Sequence, residues 1–356
     1  MTNELSDMLL ESLDKVFRKH CTNERIQELD HGGFDADLWG VVEELGFKLA
    51  GLTEEEGGAG ATTLDLVSLL RLAGRYCAPI PLAENMMIGP WLLVGTGLKM
   101  PLGPFCVGPA MPQEELLIKR STQGWVLSGR LHQIGWPHQA SRILSLARSE
   151  DQYFVVIIDL AKCKMEPVLN LAGETRATII FDAITLSERE LAPAQTGIST
   201  ASIAQRGALA RAALISGTLE RALQLSLEYV GERKQFGQPL RKFQAIQQQL
   251  AIFAGEVVAA KAMTEQAATA LDQGPAPNTI AAAKIRTGQA AGVGARIAHQ
   301  VHGAMGFAQE YSLHHATRRL WAWRDENGSE RYWSGLLGKA VASRGAENLW
   351  PMITGI

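Results

Sequence analysis

The spacing of apolar residues changes twice along this chain, and these changes limit the folds that it can adopt. Up to about residue 103, apolar residues such as Leu9, Leu13 and Phe17 recur at helical spacing. Short runs of branched and aromatic residues follow, and helical spacing then returns. We therefore predict a mainly helical α+β protein with an N-terminal helical domain at 1–103, a small middle β domain at 104–196 and a C-terminal four-helix bundle at 197–356.

The middle region has the pattern of short strands. Apolar runs at 125–129, 143–147, 153–158 and 177–181 are separated by polar or Gly/Pro turns. No helix of useful length lies between them, and no Gly-x-Gly-x-x-Gly follows the first run. Because a parallel sheet needs helical crossovers, the pattern does not favour a doubly wound nucleotide-binding sheet.

The last part of the chain has four helical patterns with short connections. They span about 199–229, a stretch that begins near Phe243, about 279–301, and a final stretch around Trp333. Four helices joined in this way predict a bundle.

The overall charge argues against a nucleic-acid partner. The formal net charge is −3, and the sequence has no conspicuous run of lysine or arginine. A general nucleic-acid binder uses a basic excess to neutralise phosphates, so we expect no nucleic acid here.

The cysteines and the N-terminus indicate a cytoplasmic protein. The four cysteines are scattered without a Cys-x-x-Cys pair, which favours reduced thiols. The N-terminus lacks an apolar core of signal-peptide length, and no run is long enough to span a membrane. We therefore expect cytoplasmic localisation and no membrane partner.

The histidines do not form a recognisable metal motif. His302, His314 and His315 are the candidates, yet no carboxylate or cysteine flanks them at ligand spacing in the sequence. We expect ordinary helix or loop histidines and no metal.

Two segments of the helical region have the composition of a ligand-binding surface. The first, at 232–247, combines a cation, an aromatic ring, amide side chains and a Gly-x-Pro break. The guanidinium of Arg233 is always charged and can fork onto a pyrophosphate. The second segment, at 300–307, places Gly303 and Gly306 where the backbone can approach a ligand closely.

Together, these segments resemble the flavin-binding segments of the acyl-CoA dehydrogenase family. The family pattern is Arg-x-x-Phe-Gly followed by Phe/His-Gln, and then Gln-x-x-Gly-x-x-Gly-Phe. Here Ala304 stands where the family usually has glycine. The resemblance implies FAD as the cofactor, and the residues carried over as its contacts are Arg233, Gln235, Phe236, Phe243, Gln244, Gln300, His302, Gly303 and Ala304.

The resemblance also implies an activity and an assembly. The family oxidises the Cα–Cβ bond of an acyl-CoA thioester and passes the electrons to an electron-transfer flavoprotein. In the family, the arginine matched by Arg233 reaches the flavin dinucleotide of a neighbouring subunit. We therefore expect a homo- or heterotetramer built from dimers, in which Arg233 of one protomer meets a dinucleotide bound against the Gln300 turn of another.

The family's usual positions for the catalytic base hold no carboxylate. The commonest position, counted from Gln300, is occupied by Asn327, and the second by Ala210. A base must be a carboxylate near the α carbon, so we take Glu326 as the candidate, with its neighbour Asp325 as the alternative. The surrounding sequence resembles small subunits of bacterial relatives that act on dicarboxylic, aromatic or sterol-derived thioesters.

The β domain also departs from the family pattern. No Thr-Glu-Pro-x-x-Gly-Ser segment is present between residues 103 and 115, and Gly135 stands where the family has a hydroxyl that faces the flavin. These departures keep a second hypothesis open, namely a flavin-anchoring subunit that has lost the base and assists a catalytic partner.

Overall fold

The computed structural model describes residues 3–348 except Pro112 and Gln123. Its first part is helical, as predicted, and contains α1 (Asn3–His20), α2 (Asn23–Glu28), α3 (Ala36–Glu44), α4 (Thr63–Arg75), a π-helical segment (Ala83–Ile88) and α5 (Gly89–Leu93). Their apolar faces pack into one core, which continues into the C-terminal helices.

Helix α4 shows how the sequence sets these elements. Thr62 and Asp65 form a capping box that satisfies backbone N–H groups at the start of the helix. Gly74, near its end, lies against the backbone of α6, where a Cβ would overlap the carbonyl of Leu214. Thr218 of α6 donates a hydrogen bond to the Gly74 carbonyl at 2.9 Å. This close approach joins the N-terminal helices to the bundle.

The middle part is a single mixed sheet, and the predicted runs all lie in its strands. The strand order is β6-β7-β3-β2-β4-β5-β8, with β1 paired to β4. The β1–β4 and β2–β4 pairs are parallel and the others are antiparallel. The strands are β1 (Cys106–Val107), β2 (Leu116–Ser121), β3 (Gly124–Gly135), β4 (Arg142–Ser149), β5 (Gln152–Asp159), β6 (Lys164–Leu169), β7 (Thr175–Leu186) and β8 (Leu191–Pro193).

The last part differs from the prediction by one helix. Within the described residues it contains five α-helices. The sequence predicted four, because it did not reveal α9 as a separate helix. The stretch Leu-His-His-Ala-Thr-Arg-Arg-Leu-Trp-Ala-Trp-Arg-Asp has no clean apolar stripe, since His315 and Arg319 are buried in it. The elements are α6 (Thr200–Glu232), the hairpin β9 (Lys234–Gln235) and β10 (Gln238–Pro239), α7 (Gln244–Gln273), α8 (Pro277–His302), α9 (Leu313–Asp325) and α10 (Glu330–Arg344).

The architecture is therefore mainly helical with one β domain, as the sequence predicted. The sheet has its own apolar core, separate from the core of the helices. Among the described helices, none combines the length and apolar character that crossing a bilayer requires. The elements that form the site are the loops of the sheet, α6 and the end of α9.

Candidate active site and cofactor surface

The first candidate ligand surface is the hairpin between α6 and α7. Phe236 and Gly237 form its two-residue turn, and both have left-handed backbone conformations, with φ of 50° and 80°. The turn leaves Phe236 93% exposed, with an edge-on ring contact to Phe243. The guanidinium of Arg233 is also exposed and makes no hydrogen bond or ion pair to any other described residue. The hairpin thus presents a cation and an aromatic ring to solvent.

The second surface is the turn that ends α8. Gly303 has φ of 59°, which favours glycine, and its position is open to solvent. Gln300, Gly303 and Ala304 are exposed, and Phe307 is 68% exposed. The turn therefore offers an amide side chain, accessible backbone and an aromatic ring.

The two surfaces lie side by side in the same chain. Tyr229, in the last turn of α6, stacks on His302, with ring centroids 4.5 Å apart. Arg233 follows Tyr229 by one turn, so both segments belong to one end of the bundle. The expected contact between Arg233 of one protomer and a dinucleotide bound against the Gln300 turn of another stays a prediction.

The side chains of this composite surface fit a dinucleotide. An unpaired guanidinium suits a pyrophosphate, exposed rings suit flat heterocycles, and amides can pair with ribose or base edges. The residues predicted to contact FAD are exposed here, apart from the half-buried Phe243; they are Arg233, Gln235, Phe236, Phe243, Gln244, Gln300, Gly303 and Ala304.

The side chain of His302, also predicted as a FAD contact, is not part of this exposed set. It is 3% exposed, its Nδ1 donates to the Ala298 carbonyl at 2.7 Å, and its Nε2 lies 3.1 Å from the Tyr311 hydroxyl. Burial lowers the pKa of this ring, so the neutral form is favoured. Both ring nitrogens are occupied within the chain, and His302 supports the turn from beneath.

A cavity of about 390 Å³ separates the sheet from the end of α9. One wall comes from the loop at Pro109–Met111 and from Gln133 and Gly135 of β3, and the opposite wall comes from the residues that end α9. Apolar side chains and three carboxylates share the lining. The carboxylates are Glu84, Asp325 and Glu326.

Glu326 is bound by two arginines. Its Oε1 accepts hydrogen bonds from Arg176 Nη2 at 2.7 Å and from Asn170 at 2.9 Å, and its Oε2 accepts one from Arg211 Nε at 2.7 Å. Burial acts to raise the pKa of this carboxyl, but the two guanidiniums outweigh it, and the pKa is lowered. A general base for an α proton needs the opposite shift, toward the working pH. The geometry therefore does not favour Glu326 as the base.

The same arginines belong to a larger buried ion network. Arg211 also donates to Glu84 at 2.6 Å, and Arg176 donates to Glu174 at 2.8 Å. The network joins the π-helical segment, β7, α6 and α9, and its formal charges cancel. Its charged members are Glu84, Glu174, Glu326, Arg176, Arg211 and Arg319.

Asp325 differs from the other two cavity carboxylates. It is exposed at the last position of α9, it lines the cavity, and it has no hydrogen-bond or ion-pair partner among the described residues. An unpaired carboxylate that faces a cavity is available to accept a proton. Asp325, the alternative base of the sequence analysis, therefore lacks the arginine contacts that disfavour Glu326.

The two usual base positions have other roles here. Ala210 is fully buried in α6. Asn327 has a left-handed backbone, with φ of 53°, and its amide donates to the Ala110 carbonyl at 3.2 Å. It therefore ties the turn after α9 to the loop of the sheet across the cavity.

Lys284 fixes the turn that carries these residues. Its ammonium is fully buried and donates to the carbonyls of Trp323, Arg324 and Gly328 at 3.3, 2.6 and 2.9 Å. Burial lowers its pKa to about 7. The side chain thus satisfies carbonyl groups at the end of α9 that the helix leaves free.

We expect Lys284→Met to destabilise the fold by about 2 kcal/mol, because three buried carbonyls lose their donor while a costly buried charge is removed. Urea unfolding measures this difference. Lys339→Met, on the exposed face of α10, is the control and should change stability by less than about 0.5 kcal/mol. Equal stability of the two variants would contradict the role given to Lys284.

The histidines at the start of α9 have a carboxylate nearby that sequence spacing did not reveal. Ligand atoms of Asp30, His314 and His315 lie within 4.8 Å of one another. However, Arg318 donates to Asp30 at 2.7 Å, so a guanidinium already neutralises this carboxylate. We assign no metal to this cluster.

The sequence analysis missed most of the ion network. The available signal was a charged residue inside an otherwise apolar run, as with Glu84 in Pro-Leu-Ala-Glu-Asn-Met-Met-Ile and Arg211 in Ala-Leu-Ala-Arg-Ala-Ala-Leu. Such residues are buried only when paired. Their partners, however, come from distant segments and have no local signature.

Comparisons with known proteins agree with this architecture. The 3-sulfinopropanoyl-CoA desulfinase of Paraburkholderia xenovorans is 28% identical over 319 residues, covering 79% of this chain and 82% of that protein. Acyl-CoA dehydrogenase FadE27 of Mycobacterium tuberculosis is 26% identical over 341 residues, covering 88% and 90%. A chain of the ChsE4-ChsE5 complex from Mycobacterium tuberculosis superposes with a TM-score of 0.89 at 22% identity, covering 97% and 99% of the two chains.

Two family descriptions match the chain directly. Residues 3–97 match the acyl-CoA dehydrogenase N-terminal domain, and residues 199–341 match the acyl-CoA dehydrogenase C-terminal domain, together more than half of the 356 residues. This protein therefore belongs to the acyl-CoA dehydrogenase family, the FAD-dependent oxidoreductases that act on the CH–CH bond of acyl-CoA thioesters.

Proposed function

We propose that this chain is a subunit of an acyl-CoA dehydrogenase and that Asp325 is the base that removes the α proton of the thioester. The observation that carries the proposal is the environment of the three cavity carboxylates. Glu84 and Glu326 are held by Arg211, whereas Asp325 has no partner among the described residues. The reaction introduces a double bond between the α and β carbons.

The residues around the cavity have separable roles in this proposal. A carboxylate oxygen of Asp325 accepts the α proton. When bound, FAD accepts the hydride that leaves the β carbon. Ile88, Met111 and Ile203 give the cavity apolar walls, which exclude water and favour the proton transfer. The ion network holds the end of α9, so the position of Asp325 relative to the sheet is fixed.

Arg233 is proposed to bind the FAD pyrophosphate, and we expect Arg233→Gln to weaken FAD binding by about tenfold or more, because a charge-assisted contact is lost. Fluorescence titration of apoprotein with FAD measures this. Arg241→Gln, an exposed arginine on the same connection, is the matched control and should bind FAD like the wild type. Equal affinities of the two variants would remove Arg233 from the FAD site.

The exposed face of α7 supports an oligomer built from dimers. Ile252 and Val258 are 56% and 66% exposed, and they alternate along the face with Ala251, Gly255 and Ala259, none of which is charged. An uncharged apolar face of this length is typical of a subunit interface. We propose a tetramer, and the similarity to a chain of the ChsE4-ChsE5 complex supports a heteromeric one.

The remaining features of the proposal concern the electron acceptor, the location and the substrate. An electron-transfer flavoprotein is the proposed acceptor, and the cytoplasm is the proposed location, consistent with free cysteines in the structure. Structural similarity to a steroid acyl-CoA dehydrogenase, the Tcur3481-Tcur3483 protein, supports sterol-derived as well as fatty acyl thioesters as candidates.

The residues at the expected base positions favour a second function, that of a flavin-anchoring subunit. Asn327 and Ala210 occupy the family's two base positions, and Glu326 is neutralised by arginines. These facts suit a flavin-anchoring subunit whose partner supplies the base.

Purification alone and with candidate partner subunits separates the two functions. Protein that binds FAD and is bleached by an acyl-CoA when purified alone supports the enzyme. The anchoring subunit is supported if the flavin is bleached only when a partner is present and if the Asp325→Asn variant is then bleached as fast as the wild type.

A further inference from the structure

A second cavity lies at the opposite end of α9 from the candidate active site. It has a volume of about 160 Å³ and is formed where α1 and α2, the end of α4, α6 and the start of α9 meet. His315 lines it, and Asp325 is ten residues further along α9, about 15 Å away at the helical rise. The cavity is therefore separate from the reaction described above.

The charges around this cavity are all positive. Arg75 and Arg221 line it, and no aspartate or glutamate does. Neither guanidinium has an ion pair among the described residues. Arg221 donates one hydrogen bond to the Asn23 side chain at 3.4 Å, and in the same described residues Arg75 donates none. Two cations around one small space repel each other, and an anion between them removes this repulsion.

The thiols in the lining add no negative charge. Cys21 and Cys77 also border the cavity, and burial raises the pKa of both. Both remain neutral at neutral pH.

The start of α9 adds further donors. Its N-cap residue, Ser312, makes no side-chain capping hydrogen bond and lies at the positive end of the helix dipole. Ser312 itself borders the cavity.

His315, in the first turn of α9, also borders the cavity. It is 5% exposed, and within the described residues its ring nitrogens have no hydrogen-bond partner. Burial and neighbouring cations lower its pKa to about 3, so the ring is a neutral N–H donor. The ring therefore adds no charge to the cavity, and one of its nitrogens lies within 4.8 Å of a carboxylate oxygen of Asp30.

We propose that this cavity binds a phosphate group, held by Arg75, Arg221 and the start of α9. Two guanidiniums and helix N–H groups are the donors that tetrahedral oxyanions prefer. The volume of about 160 Å³ admits a phosphate group but not a whole nucleotide or acyl-CoA. The phosphate is either free inorganic phosphate or the phosphoryl end of a small metabolite whose remainder extends through the opening.

Calorimetric titration of the wild-type protein, at constant ionic strength, tests the proposal with inorganic phosphate, glycerol phosphate, acetate and chloride. We expect saturable binding of inorganic phosphate. Arg75→Gln and Arg221→Gln should each weaken it by about tenfold or more. Arg130→Gln should bind like the wild type, because Arg130 is an exposed residue of the β domain with no partner in the described part of the chain.

Each result decides the question. Glycerol phosphate that binds as tightly as phosphate identifies the phosphoryl group of a metabolite, and weaker binding identifies the free ion; both support the site. An absence of saturable phosphate binding, an equal response to acetate or chloride, or unchanged affinity in both arginine variants overturns it. Thermal unfolding verifies that each variant is folded. We expect Arg75→Gln to fold like the wild type, because Arg75 is exposed.

Discussion

Asp325→Asn should slow the bleaching of the bound flavin by an acyl-CoA by at least about 10²-fold, because a general base contributes on the order of 10²–10⁴ to such a rate. The amide does not accept the α proton. FAD content and thermal stability should remain those of the wild type, since Asp325 is exposed and has no partner among the described residues. Anaerobic stopped-flow absorbance measures the rate.

Asp151→Asn provides the matched control. Asp151 is an exposed aspartate in a turn of the β domain, far in sequence from the end of α9, and its variant should keep the wild-type rate. A wild-type bleaching rate in Asp325→Asn would show that the base lies elsewhere, either in another residue or in a partner subunit.

Glu326→Gln should reduce the free energy of unfolding by about 3–5 kcal/mol, the cost of breaking a buried ion pair by removing one partner. In this variant Arg176 and Arg211 lose the carboxylate that they share, at 2.7 Å each. Urea unfolding measures the difference. If Glu326 were instead the catalytic base without a structural role, Glu326→Gln would lose activity and keep the stability of the wild type.

The control for this variant is a glutamate in an exposed ion pair. Glu188 pairs with Arg120 on the surface of the sheet at 3.5 Å, and Glu188→Gln should cost no more than about 1 kcal/mol. If Glu326→Gln and Glu188→Gln were equally stable, the buried network would not hold the end of α9.

The acid dependence of stability provides a second measure of the same network. Contacts with the arginines lower the pKa of Glu174 to about 2 and also lower that of Glu326. Because these values lie below the unfolded value of about 4.3, the stabilisation is complete above that pH and is lost as the pH falls toward 2. The wild type should therefore lose more stability over this window than Glu326→Gln.

The fold was predictable because its signal is local. Apolar residues at helical spacing, as in α4, and short branched runs, as in β5, report which face each element buries. The sequence did not reveal helix α9, because its buried face includes His315 and Arg319. An apolar pattern assigns such polar residues to the exposed face.

The candidate site was only partly predictable, for a physical reason. Arg233 and Gln300 belong to short motifs, so a resemblance could identify them. The state of Glu326 depends on Arg176 and Arg211, which are more than a hundred positions away in sequence, and no local pattern shows that they surround it. His302 likewise matched a motif, yet its contact with Tyr311 shows that it faces inward.

The most direct test of the account is an anaerobic titration of the wild-type protein, supplied with FAD, with straight-chain, aromatic and sterol-derived acyl-CoA thioesters. The account predicts a yellow protein whose flavin absorbance is bleached by at least one of them. A protein that remains colourless after FAD is supplied, or a yellow protein that none of these thioesters bleaches either alone or with a partner subunit, would contradict it.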